Sequence, residues 1–94
     1  MQVVIRKRAL NAILKTALFV ESRNTPGSGD RWAERLKTKI ISLANSKVKF
    51  ALCNHPSLAK FDYRCYTYKD WIIAFRSSEN EFEVCRFIYG ARLA

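Results

Sequence analysis

The chain has 94 residues, 49% of them hydrophobic, which is enough for one small domain with a modest core and too little for a second. Seventeen Lys and Arg against eight Asp and Glu leave a formal net charge of +9, a field that draws polyanions or acidic proteins and excludes basic ones. No stretch reaches the roughly 18 apolar residues of a membrane span, and in MQVVIRKRALNAILKTALFVESRN the basic cluster follows the first apolar run, so neither a membrane helix nor a cleaved leader is expected.

Val3, Val4 and Ile5 form a β-branched run that predicts a first strand ending at Arg6, Lys7 and Arg8. Leu10, Ile13, Leu14, Ala17 and Leu18 then recur at three- and four-residue steps, the pattern of a helix with one apolar stripe and with Asn11 and Lys15 turned away. Asn24-Thr25-Pro26-Gly27-Ser28-Gly29 ends that helix, because proline lacks the donor a helix interior needs. Asp30 stands where a carboxylate complements the free amides of a helix start, and Trp32, Leu36, Ile40 and Leu43 share one face of the second helix. Its other face carries Arg31, Arg35, Lys37 and Lys39 and reads as solvated. The two helices are expected to pack antiparallel.

Lys47 to Cys53 fits either an edge strand or an irregular link. From Phe61 the period becomes two: FDYRCYTY, WIIAFR and FEVCRFIY predict three strands, separated by Lys69-Asp70 and by Ser77-Ser78-Glu79-Asn80. The expected class is α+β, one domain over residues 1–94, with an N-terminal strand and a two-helix hairpin packed on an antiparallel β-meander.

Cys53, Cys65 and Cys85 cannot all pair within one chain, and none has a zinc-binding spacing, so buried free thiols in a reducing cytoplasm are expected. His55, the one histidine, precedes Pro56 and reads as a turn residue. Neither a metal nor a small-molecule cofactor is expected.

RALNAILKTALFVESRNTPG, and YRCYTYKDWIIAFRSSENEFEVCRFIYGAR with its closing Tyr-Gly-x-Arg, resemble in order and spacing the RelE/ParE superfamily of bacterial toxins. The resemblance covers nearly the whole chain. It implies a toxin wrapped by a small antitoxin, the RelE type cutting messenger RNA on the ribosome and the ParE type poisoning DNA gyrase. Arg92 matches the arginine after the closing strand, Arg64 falls where the RelE type has an inner-strand basic residue, and Arg86 matches an arginine of the ParE-like closing strand. Tyr89 stands where many relatives have histidine, Trp71 and Ile72 replace a further catalytic arginine, and the RelE-type C-terminal helix with its tyrosine does not follow. These departures favour the ParE-like branch.

Cleaving RNA through its own 2′-hydroxyl needs a proton acceptor, a proton donor and cations at the phosphate. Arg64, Arg86 and Arg92 suit the last role, but arginine is a poor base, which leaves Tyr89 or a lysine. Each also has a purely structural reading: Arg64 paired with Asp62, Asp70 or Glu83, Arg86 bonded to backbone carbonyls, and the meander's many aromatic rings building the core.

The expected function is a ParE-like toxin in the cytoplasm, probing its target, gyrase, with Arg64, Arg86, Tyr89 and Arg92. A cognate antitoxin helix would dock near Leu10, Leu14 and Leu36. The alternatives are a metal-independent, ribosome-dependent messenger-RNA endonuclease and a non-toxic basic RNA-binding or interaction domain.

Overall fold

A computed structural model describes residues 1–90. Strand β1 (Gln2–Ile5), helices α1 (Lys7–Arg23), α2 (Ser28–Ala44) and the short α3 (Pro56–Ala59), and strands β2 (Arg64–Tyr68), β3 (Trp71–Ser77) and β4 (Glu81–Tyr89) follow in that order. The strands form one sheet, β1-β4-β3-β2. Strand β3 runs antiparallel to β2 and to β4, while β1 joins β4 in parallel. The small α+β fold thus has a mixed sheet and not an antiparallel one throughout. The whole helical hairpin lies between β1 and the remaining strands, a connection long enough to bring the chain back in the same direction.

Helices α1 and α2 cover one face of the sheet. Trp32, Leu36, Ile40 and Leu43 are buried there with Phe75, Phe82, Val84 and Phe87, each large side chain contributing about 1.5–3 kcal/mol through burial. On α1 the buried stripe is rotated from the one its spacing suggests. Ala9 and Ile13 are buried, whereas Leu10, Leu14 and Leu18 are 40%, 53% and 71% exposed. Because α1 packs on both α2 and β4, its inner side carries the small residues Ala9, Ala12 and Ala17, which allow close approach, and the bulkier leucines form a separate outer ridge.

A carboxylate fastens the hairpin. Glu21, near the end of α1, accepts hydrogen bonds from the Gly27 and Gly29 amides, both at 2.8 Å, and so occupies donors that the start of α2 leaves free. Gly27 takes the left-handed conformation (φ 87°) before the helix begins. At Gly29 the helices meet so closely that a Cβ would lie 2.5 Å from the Ala17 carbonyl oxygen.

The segment between α2 and β2 passes round the β2 edge of the sheet, Phe50 packing on the helix-side core and Cys53 and Leu58 covering the other face. Its first part, the strap of residues 46–55, has no regular structure beyond a single bridge from Leu52 to Arg64. The Cys53 amide donates to the Tyr63 carbonyl at 2.9 Å and the Cys65 amide to that of Ala51 at 3.3 Å. His55 caps α3 by accepting the Ser57 amide at Nδ1, and Leu58, Tyr63, Ala74 and Cys85 close a second buried cluster with Cys53. The expectation of free thiols fails at two of three cysteines. Cys53 and Cys65 form a disulfide with Cα atoms 4.9 Å apart, a pairing the bridge makes by bringing the strap beside β2, and Cys85 alone is free and buried. The expected strand from Phe61 begins only at Arg64, because the chain turns after α3 and Asp62 takes a left-handed φ of 59°.

In β4 the alternation breaks once. The register shifts between Ala74 and Phe75, leaving Cys85 as an extra residue between Val84, opposite Phe75, and Arg86, opposite Ala74. This β-bulge puts Phe82, Val84 and then Phe87 in the helix-side core, a spacing of two followed by three. Without it, Arg86 would point into that core. Among the described residues, no helix is long and apolar enough to cross a membrane.

The clamp is open to test. Gly29→Ala should lower unfolding free energy by about 1–3 kcal/mol in denaturant titration, since the Ala17 backbone has to yield. Glu21 is held below the ordinary carboxylate value by the Gly29 and then the Gly27 amide, and Glu83 by its hydrogen bond from Arg6. In acid the unfolded chain therefore binds more protons than the folded one. The stabilisation from both groups is complete above the ordinary carboxylate range, about pH 4, and is lost as pH falls below it. Glu21→Gln should flatten that acid limb in thermal melts, and an unchanged limb would show that the clamp does not titrate.

Candidate functional site

Strand β4 has nine residues and β1 only four, so beyond Val84 the outer edge of β4 has no strand partner among the described residues. The Arg6 amide bonds the Val84 carbonyl at 2.9 Å, and the chain leaves as α1, which packs against β4. A groove of about 920 Å³ opens between them.

Its charge is one-sided. Arg8 and Lys15 of α1 line it together with Arg86 of β4, and no carboxylate does among the described residues. Partial burial, and next the charge of Arg8, push the Arg86 guanidinium below its ordinary value, although a guanidinium stays protonated throughout the physiological range. Two like charges converge with no counter-charge, and an incoming anion relieves both the repulsion and the desolvation. By contrast Arg6, two residues before Arg8, is neutralised by Glu83 at 3.1 Å.

The floor is aromatic. Trp71 stacks on Phe87 with ring centres 4.6 Å apart and planes 10° from parallel, and Tyr89 meets Trp71 edge-on at 5.3 Å. Phe19 closes the far wall on α1. Cations beside aromatic rings in one groove suit a ligand that carries phosphate or carboxylate next to planar groups. A smaller hollow of about 310 Å³ beside the β2–β3 turn shares Tyr89 but is lined by both Lys69 and Asp70, and so lacks this one-sided charge.

The structure brings together Arg86 and Tyr89 of the expected site residues. Arg64 is elsewhere, on the outer strand β2, where its Nη1 donates to the Phe50 carbonyl at 3.0 Å and to none of the expected carboxylates. Arg92 lies outside the described residues. Leu10 and Leu14 are exposed on α1, but Leu36, at 1% exposure, is part of the core and offers no surface to a partner. Sequence reasoning missed Arg8, Lys15 and Phe19. Their signal was present: Arg8, Asn11, Lys15 and Phe19 recur at helical spacing, a largely polar stripe of α1 that reads as merely solvent-facing until β4 is laid beside it.

If the groove is an anion site, Arg8→Gln with Arg86→Gln should weaken binding of a labelled single-stranded oligonucleotide and reduce the slope of log affinity against log salt by about 1.4, at ~0.7 per lost phosphate contact. Arg31→Gln with Arg35→Gln, on the outer face of α2, is the comparison. An equal loss from both pairs would mean that net charge, not the groove, binds the probe.

A scan of protein-family models gives no match, and neither does a comparison with curated protein sequences. The groove is therefore interpreted from its own chemistry.

Proposed function

We propose that the chain is the toxin component of a type II toxin-antitoxin pair, a ParE-like inhibitor that grips an anionic surface of a macromolecular target, DNA gyrase foremost, and is silenced by a cognate antitoxin. The kinship of the fold with RelE/ParE toxins is part of this proposal. It is supported by the element order, a strand, two long helices, a short third helix and three further strands, together with the residues of the closing strand described above. The observation that carries it is the Arg8 and Arg86 pair, two cations in a groove that no carboxylate lines among the described residues. For the antitoxin, the exposed ridge of Leu10, Leu14 and Leu18 offers one-turn spacing to an amphipathic helix.

A RelE-type endonuclease is the second reading, favoured by Tyr89, exposed in the groove together with Arg86, since an aromatic ring next to cations suits the bases and phosphates of a single strand. The groove then needs a proton acceptor, and Lys15 and Tyr89 are the titratable groups other than arginine that line it.

Induced expression in a bacterium tests both. Growth should arrest, and Arg86→Gln should relieve the arrest while leaving the folded spectrum intact. A gyrase poison inhibits supercoiling of relaxed plasmid in the purified system, and an endonuclease leaves ribosome-dependent cuts visible by primer extension. A folded chain that never slows growth would leave only a basic binding domain.

A further inference from the structure

A separate device sits at the opposite edge of the sheet, beside β2, independent of the groove and of the toxin proposal. The strap is exposed along most of its length, and residues 47–52 contribute one half-buried side chain, Phe50, which packs edge-on against Tyr66 and Phe75. Otherwise it is held by the Cys53 amide on the Tyr63 carbonyl, by the Cys65 amide on that of Ala51, by Arg64 Nη1 on the Phe50 carbonyl, by the buried Cys53 side chain, and by the disulfide. Beyond the strap, Leu58 is fully buried and anchors the chain's return. The one covalent fastening thus ends the largely exposed stretch 45–52 at Cys53, which is itself buried in the second cluster.

We infer that the Cys53–Cys65 disulfide is a reducible latch, and that a dithiol reductant opens it to release the strap from the outer edge of β2. The chemistry balances within the pair and the reductant. A thiolate of the dithiol attacks Sγ of Cys65, the half-buried member, forming a mixed disulfide while Cys53 leaves as thiolate and takes up a proton. The second thiol then displaces Cys65, so two electrons and two protons pass to the protein and the reductant ends as a disulfide. Cys85 stands in the same buried cluster, but burial pushes its thiol up, which suppresses the thiolate and keeps it out of the exchange.

Opening has a defined effect. Closing a loop over 12 residues of sequence restrains the strap. Once that restraint is gone, the bond from the Cys65 amide to the Ala51 carbonyl rests on exposed chain, and Arg64 loses the carbonyl that fixes its guanidinium. An edge strand with freed backbone groups and a loose cation replaces a covered one.

Hydrogen exchange on the full chain, with and without dithiothreitol, tests the latch. Reduction should accelerate exchange at the Cys53 and Cys65 amides by about tenfold or more, the size of a local opening made easier by loss of a covalent restraint, and leave the amides of β3 and β4 unchanged. Cys53→Ser with Cys65→Ser should reproduce the fast exchange without reductant, and Cys85→Ser should respond to reductant as the parent does. Unchanged exchange at the two amides, or acceleration spread evenly over the sheet, overturns the proposal, as do three titratable thiols in the untreated chain.

Discussion

Much depends on one extra residue in β4. A strand that alternates strictly cannot place Val84 and Phe87 on the same face, and the bulge at Cys85 is what lets it. Phe87 then fills the space between Trp32 and Trp71, and Arg86 is turned toward the edge where α1 begins. Core and candidate site are two outcomes of the same local geometry. Restoring regular alternation would bury a guanidinium and expose a phenyl ring, at a desolvation cost the small core has little capacity to absorb.

The second constraint is the contact between helices. Glu21 reaches over to the amides that open α2, and Gly29 lets the two backbones approach where any side chain would collide with the Ala17 carbonyl. This narrow crossing sets how α1 lies on the sheet. Its small residues face inward, its leucines are left outside, and its basic stripe comes to rest beside β4. The charge that makes the groove one-sided thus follows from packing as much as from composition.

The parts legible in the sequence were those written in large periodic side chains. The face of α2 is readable because Trp32, Leu36, Ile40 and Leu43 are bulky and regularly spaced, and the strands after Arg64 are readable from alternation and turn residues. The buried stripe of α1 was not, since alanines that permit close approach carry less hydrophobic signal than the leucines they displace to the surface. Nor does periodicity name partners, so the parallel pairing of β1 with β4 and the meeting of Cys53 with Cys65 were out of reach. At the site, Arg86 and Tyr89 lay within one strand and were found together, whereas Arg8 and Lys15 joined them only through tertiary packing. Arg64 was misplaced because its strand is separated from β4 by β3.

The pairing of β1 with β4 also orders events in time. The first strand and the last meet across every other element of the fold, and such distant contacts must bear the full entropy of loop closure before they are rewarded. During synthesis the helical hairpin can form from local contacts, but β1 has no neighbour until residues 81–84 have been made. Phe82 and Val84 arrive with that same strand. The interior therefore stays open to water until nearly the whole described chain exists, and an amphipathic hairpin with an uncovered apolar face is the species that waits.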